Sequence, residues 1–252
     1  MIGVFYPYLA AQKKWDELRY SLRSLETFFR EEEYEVWIVG DLPEWAVNVR
    51  HIPHVKDERL ADSTTCDAIS KLWAYLENEE TPGQFIRMYD DIYFLAPRTL
   101  EDLKVTRYLY TWDEFKGKKL TSGCGTWQES VKASIDAVRA LGYPGIMTET
   151  HCPEVFRKWK MQQIFGMFAP WDNRLLTSTL YYNVFPYKRM LKDFKTERAL
   201  FYGVENMMSY CSINFKEAIE GKFFLNHNNA GLDGQLIRFI ERMYPERSRF
   251  ER

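Results

Sequence analysis

Several common signatures are missing from this sequence, and each absence closes off a class of protein. Its 252 residues contain no GxGxxG and no GxxxxGK(S/T), so neither a dinucleotide fold nor a P-loop kinase is supported. The four cysteines (Cys66, Cys124, Cys152 and Cys211) are scattered without CxxC spacing. They read as reduced thiols of a cytoplasmic protein, and their spacing offers zinc no site. No apolar run reaches the ~18 residues of a membrane span, and no signal peptide opens the chain. A formal net charge of −2 exerts no global pull toward nucleic acid, although a local basic groove stays open. Internal repeats and low-complexity linkers are absent too, which argues for one compact domain.

What is present is an apolar share of 46% and an aromatic share of 16%, enough for a full core with rings left over to stack on sugars or bases. The chain is organised around Gln84 to Leu95, where an apolar, aromatic run rises into Asp90 and Asp91 and then turns apolar again. Pro82 and Gly83 set its start, and its short length and residue types predict a strand. Two acids at the end of a buried strand are costly unless a cation or a set of N–H groups compensates them. Either they sit in solvent at a turn, or they hold Mg²⁺ or Mn²⁺, hard ions that take oxygen ligands and bridge phosphates. The bulky residues on both sides favour the metal.

Around this stretch the first half alternates strand and helix. Ile2 to Tyr6, Glu35 to Gly40 and Val49 to Pro53 read as strands. Asp16 to Arg30 has helical spacing, and Asp62 or Ser63 caps a second helix through Leu72 and Leu76. That rhythm predicts an α/β fold with a mostly parallel sheet flanked by helices. Ligands of such sheets bind beyond the carboxyl ends of the strands, where Asp41, Asp90 and Asp91 fall. In the second half, Arg107 to Trp112 and Ile146 to His151 read as strands. Trp127 to Leu141, a segment opened by Pro153, and Arg174 to Val184 read as helices. Phe223 to Gly231 is a strand running into a polar loop, and Leu232 to Tyr244 a final amphipathic helix.

An α/β half ending in an acidic motif resembles the GT-A glycosyltransferase fold, whose metal motif usually has two acids separated by one residue; here they are adjacent, which leaves open which of them touches the metal. A narrower resemblance covers most of the chain. Asp16 to Glu26 followed by Val36 to Asp41 is similar to the Stealth family of sugar-phosphate transferases, as is Phe85 to Phe94, that family's two-aspartate segment. Thr150 to Pro153 resembles its His-x-Pro segment, and Phe224 to Asn228 its last block. The strand Val4 to Tyr8 departs from the family in lacking an acid.

These resemblances imply a nucleotide-sugar donor, with residues 1–100 as the donor half and 101–252 as the acceptor half of the same domain. Asp90 and Asp91 would be metal ligands, with His227 and Asn228 as further ligands or as ordinary loop residues. Arg19, Arg23, Lys71 and Asp41 would serve the nucleotide, the cations by neutralising phosphate, unless they belong to solvated helix faces. His151, Glu149 and Glu205 are candidates for the base that takes the acceptor's proton. The Gly123-Cys124-Gly125 loop would shape the acceptor cleft or form an ordinary turn. The acceptor is a glycan or a hydroxymethylated base in phage DNA; for DNA, Lys116, Lys118, Lys119, Lys188, Arg189, Lys192 and Lys195 are the local basic clusters. The expectation is a metal-dependent glycosyltransferase. The alternatives are a Stealth-like sugar-1-phosphate transferase and a catalytically silent sugar- or nucleic-acid-binding module.

Overall fold

The computed structural model describes residues 1–31, 33–56, 64–116, 125–192, 202–204, 219–227, 229 and 231–252. Its main sheet is built from β1 (Ile2–Tyr8), β2 (Tyr34–Gly40), β3 (Arg50–Pro53), β4 (Gln84–Arg87) and β7 (Glu154–Arg157), in the order β3-β2-β1-β4-β7. The first four are parallel and β7 runs antiparallel to β4, so the sheet is mixed: mostly parallel, with one antiparallel edge strand.

Two helices pack on opposite faces because the strands are apolar on both. On one face Val4, Tyr6, Val36, Ile38 and Ile86 meet Leu18, Leu22 and Leu25 of α1 (Glu17–Phe28). On the other, Phe5, Trp37, Val39 and Phe85 meet Ile69, Leu72 and Leu76 of α2 (Thr64–Glu77). Alternate strand residues thus enter different cores, as a two-residue period requires. Residues 62 and 63, the expected caps of α2, lie outside the described residues.

The stretch expected as one strand is two. β4 ends at Arg87, the chain turns through Tyr89 to Ile92, and β5 (Ile92–Phe94) joins a different sheet. There it pairs antiparallel with β10 (Phe224–His227), which pairs with β9 (Tyr202–Val204). The turn closes by Ile92 N donating to Tyr89 O at 3.2 Å, and Ser21 Oγ on α1 donates to Ile92 O at 2.6 Å. Asp90 and Asp91 occupy the turn's two central positions. A carboxylate pair cannot continue into a sheet interior, and these hydroxyl and backbone bonds carry the chain out of the main sheet instead.

The second half departs further from its periodicity. Helices α3 (Leu100–Leu103) and α4 (Trp112–Lys116) flank β6 (Thr106–Tyr108), so the expected strand from Arg107 stops early and Trp112 opens a helix. β6 pairs with β8 (Met190–Lys192). α5 (Gly125–Ala140) lies where expected. Ile146 to His151 is irregular, with a single bridge from Met147 to Tyr110. The Asn183 side chain takes the place of a strand partner there: its Oδ1 accepts from Gly145 N at 2.8 Å and Ile146 N at 2.9 Å. Pro153 opens not a helix but β7, whose pairing with β4 overrides the local cue; α6 (Lys158–Phe168) begins after it. A short α7 (Pro170–Asn173) precedes the helix expected from Arg174; left-handed backbone at Arg174 separates the two, and α8 (Thr177–Val184) begins three residues later than expected. The last helix, α9 (Gly234–Met243), is capped by Asp233 Oδ1. Among the described residues no helix is long and apolar enough to cross a membrane.

Candidate active site

The strand order reverses between β1 and β4: the chain runs outward from β1 to β3 and then returns to place β4 on the other side of β1. Such a switch point opens a crevice beyond the strands' carboxyl ends. A cleft of about 380 Å³ lies there, lined by Pro7 near the end of β1 and Leu9 just after it, Arg87 at the end of β4 with Tyr89 to Asp91 beyond it, and the first turns of α2. Glu149, His151, Glu154, Trp127 and the start of α8 close its other wall.

The floor is an ionic network. Arg87 and Glu154 are direct cross-strand partners in β4 and β7, both about 95% buried. The guanidinium donates through Nε to Glu154 Oε2 at 3.1 Å, through a second nitrogen to the same oxygen and to Ser178 Oγ, and to Thr177 Oγ1 at 2.8 Å. It also lies 3.7 Å from Glu149. Its pKa is raised: burial opposes the charge, and the Glu154 and Glu149 carboxylates more than offset it. Glu149 Oε1 accepts from the Thr179 N–H of α8 at 3.1 Å. Burial pushes the Glu149 carboxyl up to about 7, against the pull of Arg87.

Above this floor the two neighbouring acids diverge. Burial, and then the adjacent Asp91, push Asp90 up to about 7. Asp91 is held below its ordinary value, because His151 and then His227 overcome the cost of its burial. Both Asp91 oxygens lie near His151 Nε2, at 3.0 and 3.1 Å. Burial lowers the imidazole's pKa, but Asp91 outweighs it and the net shift is upward. The ring stacks on Tyr89 at 4.9 Å and 9°. His151 has φ of 51°, left-handed for a residue with a Cβ, and Asn226 Nδ2 holds its carbonyl at 3.1 Å. Such a conformation costs roughly 1–3 kcal/mol and clusters at working sites. The imidazole nevertheless stays 44% exposed to the cleft.

Of the residues singled out from sequence, Asp90, Asp91, Glu149, His151 and Lys71 come together here. Lys71 is 1% exposed, and its Nζ donates to Asp67 Oδ2 at 2.6 Å. Gly40, with φ of 120°, makes room for it: a Cβ there would stand 2.8 Å from Lys71 Cε and 2.1 Å from Tyr8 O. Asp41 does not line the cleft. It accepts from Ala10 N at 2.7 Å and so fixes the loop that carries Leu9 and Gln12.

Arg19 and Arg23 lie elsewhere, which corrects the expectation that α1 turns its cations toward a phosphate. Arg23 makes two 2.8 Å bonds to Glu251 near the chain's end, and Arg19 sits over Trp45 at 4.7 Å. His227 also lies off the cleft; it is 4% exposed and its Nε2 is 3.1 Å from Tyr93 Oη. Glu205, Asn228, Gly123, Cys124, Lys118, Lys119 and Lys195 lie outside the described residues. The sequence reasoning missed Arg87, Glu154, Asp67 and Trp127. Arg87 carried a usable signal, since an arginine inside an apolar strand demands a buried counter-charge.

The pair fits a hard divalent ion by its chemistry: both side chains offer oxygen donors, and a cation would offset the burial and mutual repulsion that push Asp90 up. Among the described residues no three His, Cys, Asp or Glu side chains gather into a ready-made cage. A magnesium-type nucleotide site takes one or two carboxylates and completes its shell with phosphates and water. No protein-family model matches this chain, and no curated protein matches it in sequence.

Proposed function

We propose that the chain is a nucleotide-sugar-dependent glycosyltransferase of GT-A-like design, assisted by Mn²⁺ or Mg²⁺. One observation carries the reading. Two adjacent carboxylates sit at the switch point of an α/β sheet with opposed proton affinities, and one of them is bonded to an exposed histidine. Environments that drive neighbouring groups apart mark acid–base assignments.

Asp90 and Asp91 would hold the ion, which when bound neutralises the charge of the donor's diphosphate. His151 is the base. With its Nε2–H donated to Asp91, Nδ1 carries the lone pair and takes the acceptor hydroxyl's proton. In a direct displacement the hydroxyl oxygen bonds to the sugar's C1, the C1–O bond to phosphate breaks, and a nucleoside diphosphate leaves. Asp91 stabilises the imidazolium that forms and keeps the ring in place. Lys71 and Arg87 are each engaged by a carboxylate, so they shape the cleft more than they attract phosphate.

The test is melting with a panel of nucleoside diphosphates and nucleotide sugars in Mn²⁺, Mg²⁺ or EDTA. A ligand of the folded state at a hundred times its Kd stabilises by about 2.7 kcal/mol. The expected result is a metal-dependent rise with one nucleotide, abolished in Asp90→Asn. A rise equal in EDTA, or none with any nucleotide, overturns the reading. Release of a nucleoside monophosphate during turnover would move the attack from carbon to phosphorus.

A further inference from the structure

The acceptor can be narrowed from the cleft's far wall. α5 buries a stripe of apolar residues, Val131, Ile135 and Val138, at 2%, 0% and 0% exposure. Trp127 lies one turn before Val131 on the same stripe, yet the residue is 47% exposed and lines the cleft. The stripe therefore runs past the end of the core and leaves a large flat ring facing the cavity. Exposure by itself does not single the residue out, since Trp159 is 52% exposed; its place in the cleft wall does.

Position and charge say what the ring meets. Trp127 lines the cleft together with Leu176, which packs on Val131 and Ile135 of α5, and the same wall holds Glu149 through the Thr179 N–H. The proposed donor site lies across the cleft, at the β1 and β4 tips. His151 must receive the acceptor's proton, and it too comes from the second half of the chain. The cleft's described cations are both neutralised, Lys71 by Asp67 and Arg87 by Glu154. Asp90, Asp91 and Glu149 line the cleft too. Among the described residues it offers a phosphate backbone no uncommitted lysine or arginine, whereas hydroxyl groups donate to carboxylates and the C–H face of a pyranose stacks on an indole.

Building on the transferase reading, we infer that Trp127 is the platform of an acceptor subsite for an uncharged carbohydrate, not for DNA. The test compares wild type, Trp127→Ala and Trp127→Phe on an immobilised panel of neutral glycans and on a duplex oligonucleotide containing 5-hydroxymethylcytosine, with Mn²⁺ present. Nucleotide-induced melting shifts are measured in parallel. The expected result is retention of a neutral glycan by wild type, a loss of about tenfold or more in affinity in Trp127→Ala, partial rescue by Trp127→Phe, and an unchanged nucleotide shift. Glycan retention that is insensitive to Trp127, no glycan retention at all, or tighter binding of the oligonucleotide overturns the subsite. Loss of the nucleotide shift in Trp127→Ala also overturns it, because the indole would then serve the donor. If glycan binding depends on Trp127 but no nucleotide shifts the wild type, the subsite stands and the transferase reading falls.

Discussion

At the scale of single residues, the cleft is a place where charges are set against their surroundings. His151 is fixed by Asp91 and Tyr89 in a backbone conformation that most residues avoid. If it is the base, His151→Ala lowers kcat by about 10²–10⁴ and leaves the nucleotide-induced melting shift intact; a kcat within a few-fold of wild type would remove it from that role. Glu149 predicts a pH dependence. Its folded carboxyl titrates near 7, above its ordinary 4.5, because burial disfavours the charge. Between those values the folded chain holds a proton that the unfolded chain has released, so stability falls as pH rises from about 4.5 to about 7. In EDTA, Glu149→Gln should match wild type near pH 4.5 and exceed it by about 1–3 kcal/mol at pH 8. A slope that survives in the variant belongs to Asp90, whose carboxyl is pushed up to about 7 by burial and by Asp91, and to His151. The raised pKa of that imidazole gives stability below its ordinary value, and the gain is lost as pH climbs through the folded one. Gly40 is constrained by space as well as by φ. Gly40→Ala drives a Cβ against Tyr8 O and the Lys71 stem, and chemical denaturation should show a loss of about 3 kcal/mol or more.

At the scale of elements, the C-terminal segment behaves as a strap. Glu251 is bonded to Arg23 on α1 and accepts from Ser248 N, while Phe250 enters the core and its carbonyl accepts from Val47 N. The Arg23 and Glu251 side chains are 9% and 2% exposed. Removing one partner strands the other, so Glu251→Ala should cost about 3–5 kcal/mol in denaturant titrations while leaving nucleotide binding unchanged in the remaining folded protein. This element also shows where sequence reading stops. α1 was legible from its apolar spacing, but its arginines looked available because Arg23's partner lies 228 residues away. β1 to β3, α2 and α5 were legible for the same local reason. The break at Asp90 and Asp91 was not, because the apolar pattern continues through it and the hydroxyls of Ser21 and Ser24 that redirect the chain sit on another element. β7 was hidden behind Pro153, whose local cue favoured a helix; its strand is selected by pairing with β4 and by Arg87 opposite Glu154. The acids and His151 could be picked out by residue type and position. The network beneath them could not, since its members meet only through sheet register.

At the scale of the whole molecule, the two halves read from sequence are interleaved. β7 supplies an edge of the main sheet beside β4, and β10 pairs with β5. One core joins Val4 and Leu22 to Cys152, Val155, Phe224 and Phe250; the other joins Phe5 and Leu72 to Val138, Phe156, Ile164 and Leu180. Each core thus draws on residues from both sides of position 100. A fragment of residues 1–100 would expose β4's open edge and the apolar faces those later residues cover, a state prone to association rather than folding. The cleft is divided in the same way: Asp90, Asp91 and Lys71 come from the first half, Glu149, His151, Glu154 and Trp127 from the second. The expected behaviour of the full chain is therefore a single unfolding transition, with tryptophan fluorescence and far-ultraviolet circular dichroism coincident in urea. The 1–100 fragment alone should show no cooperative transition. Two separated transitions, or a fragment that melts cooperatively, would mean that the donor half stands by itself. The ion pair between Arg87 and Glu154 would then be a docking contact between two folded bodies and not part of a common core.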